Sequence, residues 1–153
     1  MKKVFALILT VCLLASMSVT AFAANTEGGD ADITTSIDPT YTVTIPASTT
    51  VVFNATETAF GAIEVTASQI HPNKCIKVTL NTDSKLENSI NSYKVIPYAI
   101  KDSAGNVFTS ATYLTEGDKT ELSIHITADN WNAAYAGDYS DTVTFTITYE
   151  DMT

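Results

Sequence analysis

The stretch YSDTVTFTITYE, residues 139–150, decides the fold class. Tyr139, Val143, Phe145, Ile147 and Tyr149 occupy one parity, and Ser140, Thr142, Thr144, Thr146, Thr148 and Glu150 the other. Period-two alternation puts one set of side chains on each face of a pleated strand, whereas a helix repeats about every 3.6 residues. The residue types agree, since threonine, valine, isoleucine and aromatics suit a half-buried pleated surface. This apolar parity is the longest in the chain, which predicts a central strand with Phe145 as a core anchor.

Working outward, the same style recurs. ITTSI (33–37) alternates until Asp38-Pro39 breaks it, and YTVTIP (41–46) puts Tyr41, Val43 and Ile45 on one face before Pro46. TVVFN (50–54) and AFGAIEVTA (59–67) follow, with Gly61 a candidate bulge. Then come CIKVTLNT (75–82), SYKVIPYAIKD (92–102) and TELSIHITA (120–128). Turn signals lie at Ser103-Ala104-Gly105-Asn106 and at Glu116-Gly117-Asp118. Pro97 inside its run indicates an edge or a bulge, because proline cannot donate to a ladder. A helical turn fits only around residues 84–91 or 131–134. Short threonine-rich strands with turns between them predict an all-β fold, an immunoglobulin-like antiparallel β-sandwich of about seven to eight strands. Antibody kinship is not expected, because the cysteine pair that would bridge the sheets is missing.

The opening segment MKKVFALILTVCLLASMSVTAFAA has Lys2 and Lys3, an apolar run over 4–14 and a small-residue site Ala21-Phe22-Ala23. That is a secretory signal peptide, cleaved after Ala23. The apolar run is shorter than the roughly 20 residues a membrane-spanning helix needs. The expected organisation is 1–23 signal peptide, 24–32 flexible leader (ANTEGGDAD) and 33–153 a single domain. Removing 23 of the 153 residues leaves 130, enough for one core. Without Lys2 and Lys3 the basic count falls from 8 to 6 against 17 acidic residues, a net charge of −11 with no arginine. Nucleic acid and anionic membranes, which demand dense positive charge, are therefore excluded as partners. Cys12 leaves with the signal, so Cys75 is the lone cysteine and reads as a structural thiol. After Glu150 there is no L-P-x-T-G signal, apolar tail or basic end, which predicts a secreted protein, released or held non-covalently at the cell surface.

The best ligand candidate is DNWNAAYAGDY (129–139). Trp131 and Tyr135 could stack on sugar rings while Asp129, Asn130 and Asn132 bond hydroxyls; the competing reading has both aromatics plugging the open end of the core. His71 and Cys75 are four apart but share no further nearby ligand, and His125 alternates with Glu121, Ser123 and Thr127 as a solvent-facing strand residue, so no metal site is expected. Glu27, Asp30 and Asp32, or Asp129 with Asp138 and Asp141, offer the oxygen ligands calcium takes, without the spacing of a helix-loop-helix site. No cofactor is expected. The motifs G-x-S-x-G and H-E-x-x-H and a glycine-rich phosphate loop are all missing, which argues against an enzyme.

The stretch AGDYSDTVTFTITYED (136–151) resembles the closing strand of several exported β-sandwich families, namely fimbrial and spore coat protein U-like domains and bacterial surface domains with a Trp-x-Leu motif. The resemblance implies a non-enzymatic surface or filament component. Trp131 is followed by Asn132 and Ala133, so the Trp-x-Leu motif itself is not present and wall binding in that manner is not expected. The expected function is therefore a structural or adhesive extracellular protein, with a filament subunit as one form of that role. A small carbohydrate-binding module is the alternative. Expected partners are cell-surface components, glycans or copies of the chain itself. Residues 24–37 have the form of a strand that one subunit lends to another, a polar glycine-bearing leader followed by Ile33, Thr35 and Ile37 at period two. The competing reading makes residues 33–37 the first strand of the chain's own sheet.

Overall fold

The computed structural model describes residues 30–152. The signal segment, the first part of the leader and Glu27 lie outside the described residues. The chain divides into two units, Met1–Thr35 and Ser36–Thr153, and among the described residues the strands all lie in the second. Residues 30–39 are exposed and without regular structure, so residues 33–37 do not form a first strand. Asp38-Pro39 interrupts the run, and five residues with two isoleucines have little apolar surface to bury.

The fold is all-β, built from antiparallel pairs. β1 (Thr40–Thr44), β2 (Glu57–Gln69), β8 (Lys119–His125) and β6 (Ala99–Asp102) form one sheet in the order β1-β2-β8-β6. A second sheet has the order β10-β3-β7, from β3 (Lys74–Asn81), β7 (Ser110–Tyr113) and β10 (Thr144–Asp151). A third, β5-β4-β9, comprises β4 (Lys85–Asn88), β5 (Val95–Pro97) and β9 (Tyr139–Ser140). One short helix, α1 (Ala128–Asn132), precedes β9. Ile63 and Val65 of β2, Ile76 and Val78 of β3 and Leu122 of β8 meet in one core, the first four with no exposed surface. Cys75 is buried too, but outside this cluster, with its Sγ 4.0 Å from Asp151 O.

Several local expectations hold. Register shifts across Ala59 and Gly61, where φ is +120°, so Gly61 is a bulge that bends the 13-residue β2. Pro97 ends β5, an edge strand of its sheet. Gly105 closes the β6 turn by donating to Asp102 O at 2.9 Å. In the turn before β8, the Asp118 carboxylate accepts the backbone N–H groups of Leu114 (2.7 Å) and Thr115 (2.9 Å), which hold its pKa below the ordinary aspartate value. Others fail. Residues 50–54 form a turn rather than a strand, with Ala55 N donating to Val52 O and Asn54 at φ 64°. Residues 85–88 are the strand β4 and not a helical turn, because β5 and β9 pair with them on either side.

The closing stretch faces as its alternation requires but is neither continuous nor central. Asp141 breaks it. This acid sits on the inward parity, and its carboxylate accepts Thr142 N at 2.6 Å, the Tyr98 hydroxyl at 2.5 Å and Thr82 Oγ1 at 3.3 Å. Side-chain bonds of this kind compete with the ladder, so residues 141–143 leave the sheet and divide β9 from β10. β10 pairs with β3 alone, from Thr144↔Asn81 to Asp151↔Lys74, and its other edge has no partner among the described residues. Phe145 is half-buried and tilts against Phe60 at 6.2 Å, while Ile147 is 38% exposed. Period two reports which face a side chain takes, and carries nothing about how many neighbours the strand acquires.

Candidate binding cleft

Beside the start of β10, at Phe145, and the break at Asp141 lies a cleft of about 1120 Å³. One wall is the strap of residues 45–54 and the other is residues 134–143. Its floor is apolar, from Phe60, Leu86, Ile96, Ile100, Ile124 and Phe145. That volume lies just above the roughly 300–1,000 Å³ usual for small-molecule pockets.

Helix α1 holds the strap in place. Thr127 caps it, accepting Asn130 N on its Oγ1 at 3.2 Å, one of the donors a helix start leaves free. Asn130 Nδ2 donates to Pro97 O at 2.7 Å and ties the helix to β5. Trp131 then reaches the strap, its indole N–H donating to Ala55 O at 2.9 Å and its ring meeting Phe53 edge-on at 5.5 Å. The ring also packs on the core, so Trp131 serves as plug and cleft wall together. Tyr135 is 61% exposed on the other wall, with Lys94 Nζ 4.3 Å above its ring centroid, a cation–π contact. Its backbone N and O both bond the Tyr139 hydroxyl, at 3.1 and 3.0 Å.

The structure thus gathers Trp131, Asn132 and Tyr135 on the cleft. Asn130 is half-buried with its amide bonded to Pro97, and Asp129 is exposed in the first turn of α1, outside the cleft lining. Tyr98 joins the lining without having been foreseen, and of the three acids named as oxygen ligands for calcium, Asp138 and Asp141 line the cleft while Asp129 does not. Burial pushes the Tyr98 hydroxyl well above the ordinary tyrosine pKa, and its bond to Asp141 adds to the rise. The available signal was an acid at position 141 in an otherwise apolar parity. The strap had no such mark, because Val51, Val52 and Phe53 read as a strand.

Among the described residues no three His, Cys, Asp or Glu side chains come together as a metal site. His71 contributes its backbone N–H to the Tyr149 hydroxyl at 2.9 Å. His125 Nε2 lies 2.9 Å from Ser123 Oγ and 3.7 Å from Glu57 Oε1. Both partners share one ring nitrogen, whereas a serine–histidine–acid relay needs them on opposite nitrogens. Comparison with protein-family models and with curated proteins finds no match for this chain.

Proposed function

We propose that this protein is an exported, non-catalytic, immunoglobulin-like β-sandwich that serves as a structural or adhesive component at the cell surface. The observation that carries the reading is the juxtaposition of β10's unpaired edge with an apolar-floored cleft. Backbone donors and acceptors beside apolar pockets are what strand-adding recognition surfaces offer. The signal-peptide pattern, the acidic composition and the resemblance of residues 136–151 to exported surface domains support the same role. Expression of the full chain with cell fractionation tests it. The protein is expected in the medium or in a salt or denaturant wash of intact cells; retention in the cytosol refutes the reading.

A second reading, a carbohydrate-binding module, is favoured by Trp131, Asn132 and exposed Tyr135 facing one cleft. A glycan array separates the two. Binding that Tyr135→Ala removes without altering stability supports the module.

A further inference from the structure

Among the described residues the sheet edges are blunted in every case but one. β1 follows Pro39 and shifts register between Thr42 and Val43. β5 ends in Pro97, and β6 is covered by the loop after it, where Phe108 N donates to Ile100 O at 2.8 Å. β7 and β9 have only four and two residues. Short strands, prolines and bulges are ordinary means of keeping an edge from recruiting another chain. β10 has none of them: it runs eight residues in unbroken register with β3 and contains no proline, glycine or lysine. Its two acids are each paired with a lysine of β3, Glu150 with Lys77 at 3.0 Å and Asp151 with Lys74 at 2.7 Å. Ile147 lies on the inward parity yet is 38% exposed, whereas Val78 opposite it on β3 is wholly buried, so apolar surface runs out to the open edge.

Hydrogen bonding fixes which groups that edge presents. Leu80 N donates to Thr109 O at 2.8 Å, on the β7 side of β3, so Leu80 and Phe145 exchange no backbone bonds. Met152 N donates to Asn73 O at 3.0 Å, toward β3. Alternation between these two points leaves the N–H and C=O groups of Phe145, Ile147 and Tyr149 at the open edge. We propose that two copies of the chain join along β10 as an antiparallel, twofold-symmetric pair centred on Ile147. In that register Ile147 meets Ile147 of the second copy and Phe145 meets Tyr149, and each of these residues satisfies its free N–H and C=O. On the outer face Thr146 meets Thr148 and Thr144 meets Glu150, so no acid faces an acid. The two three-stranded sheets become one, and the contact closes on itself because the same patch serves on both copies. The inference rests on the open edge that also carries the surface reading, and it asks nothing of a cleft ligand.

The test uses the full chain after signal removal, residues 24–153, in about 0.15 M salt to screen its net negative charge. Light scattering during size exclusion should show a concentration-dependent dimer. Thr146→Glu/Thr148→Glu sets acid against acid across the outer face of the pair, and Thr146→Lys/Thr148→Glu sets lysine against acid. Both positions are exposed, so both variants should keep the parent's circular dichroism. The first should associate about 30-fold or more weakly than the second, because like-charge pairs replace opposite ones at both symmetric positions. Ile147→Cys should also be trapped by oxidised glutathione as a disulfide-linked dimer faster than Thr144→Cys, since only position 147 meets itself; Cys75 is buried and does not compete. A parent that stays monomeric at millimolar concentration, a parent that grows past the dimer, charge variants that associate alike, or Thr144→Cys linking as fast as Ile147→Cys each overturns the proposal. Cell fractionation reads location and not assembly, so the inference can fail while the surface role stands.

Discussion

Gly137→Ala should destabilise the fold at the wall of the cleft, by an amount the geometry sets. Gly137 has φ +141°, and a Cβ there would stand 2.5 Å from Asn88 Nδ2. Asn88 is only 5% exposed, and its Oδ1 accepts Ile90 N at 3.0 Å and Asn91 N at 3.2 Å, fixing the loop after β4. Two costs follow. A side chain at this dihedral costs about 1–3 kcal/mol, and displacing Asn88 leaves a backbone donor unsatisfied for about 1–3 kcal/mol more. The total expectation is about 2–6 kcal/mol. Gly105→Ala is the control, because φ is +84° there but nothing lies within 4 Å, so only the backbone cost of about 1–2 kcal/mol remains. Urea melts followed by Trp131 fluorescence would measure both midpoints. Adding Asn88→Ala should relieve part of the Gly137→Ala loss, a coupling of about 1 kcal/mol or more for side chains in contact. If Gly137→Ala is no more harmful than Gly105→Ala, the close approach to Asn88 does not fix this wall.

Three further outcomes follow from burial and bonding. Ile76→Ala, on the central strand β3 with no exposed surface, should cost about 2–5 kcal/mol, and Phe145→Ala on the edge strand should cost less despite its larger side chain; the opposite order in denaturant melts would contradict the sheet order. Trp131→Phe keeps a ring but loses the N–H bond to Ala55 O, so about 1 kcal/mol should disappear and the strap should become a faster site of proteolysis. Tyr98 has a raised pKa in the folded state, so its contribution is whole below the unfolded tyrosine value of about 10 and is lost as pH rises beyond it. Tyr98→Phe should therefore flatten the alkaline fall in stability; parallel curves for parent and variant would show that the hydroxyl is not held neutral.

Sequence alone determined the facing of the strands and the all-β class. Period two in residues 139–150, and in Ile76, Val78 and Leu80, follows from backbone geometry within one strand. Gly61 as a bulge and Gly105 in a turn were legible for the same reason, since positive φ is a local demand. What each strand lies beside is a long-range matter, and there the sequence ran out. β10 looks like a core strand by pattern, yet it is an edge, because pairing partners are chosen by every other strand together. Residues 50–54 have strand-forming side chains, but Trp131, far along the chain, holds them as a strap. Residues 33–37 alternate as a strand would and find no ladder within the described fold. The cleft is the space left where a strap, a broken strand and an open edge meet, so no single stretch of sequence announces it.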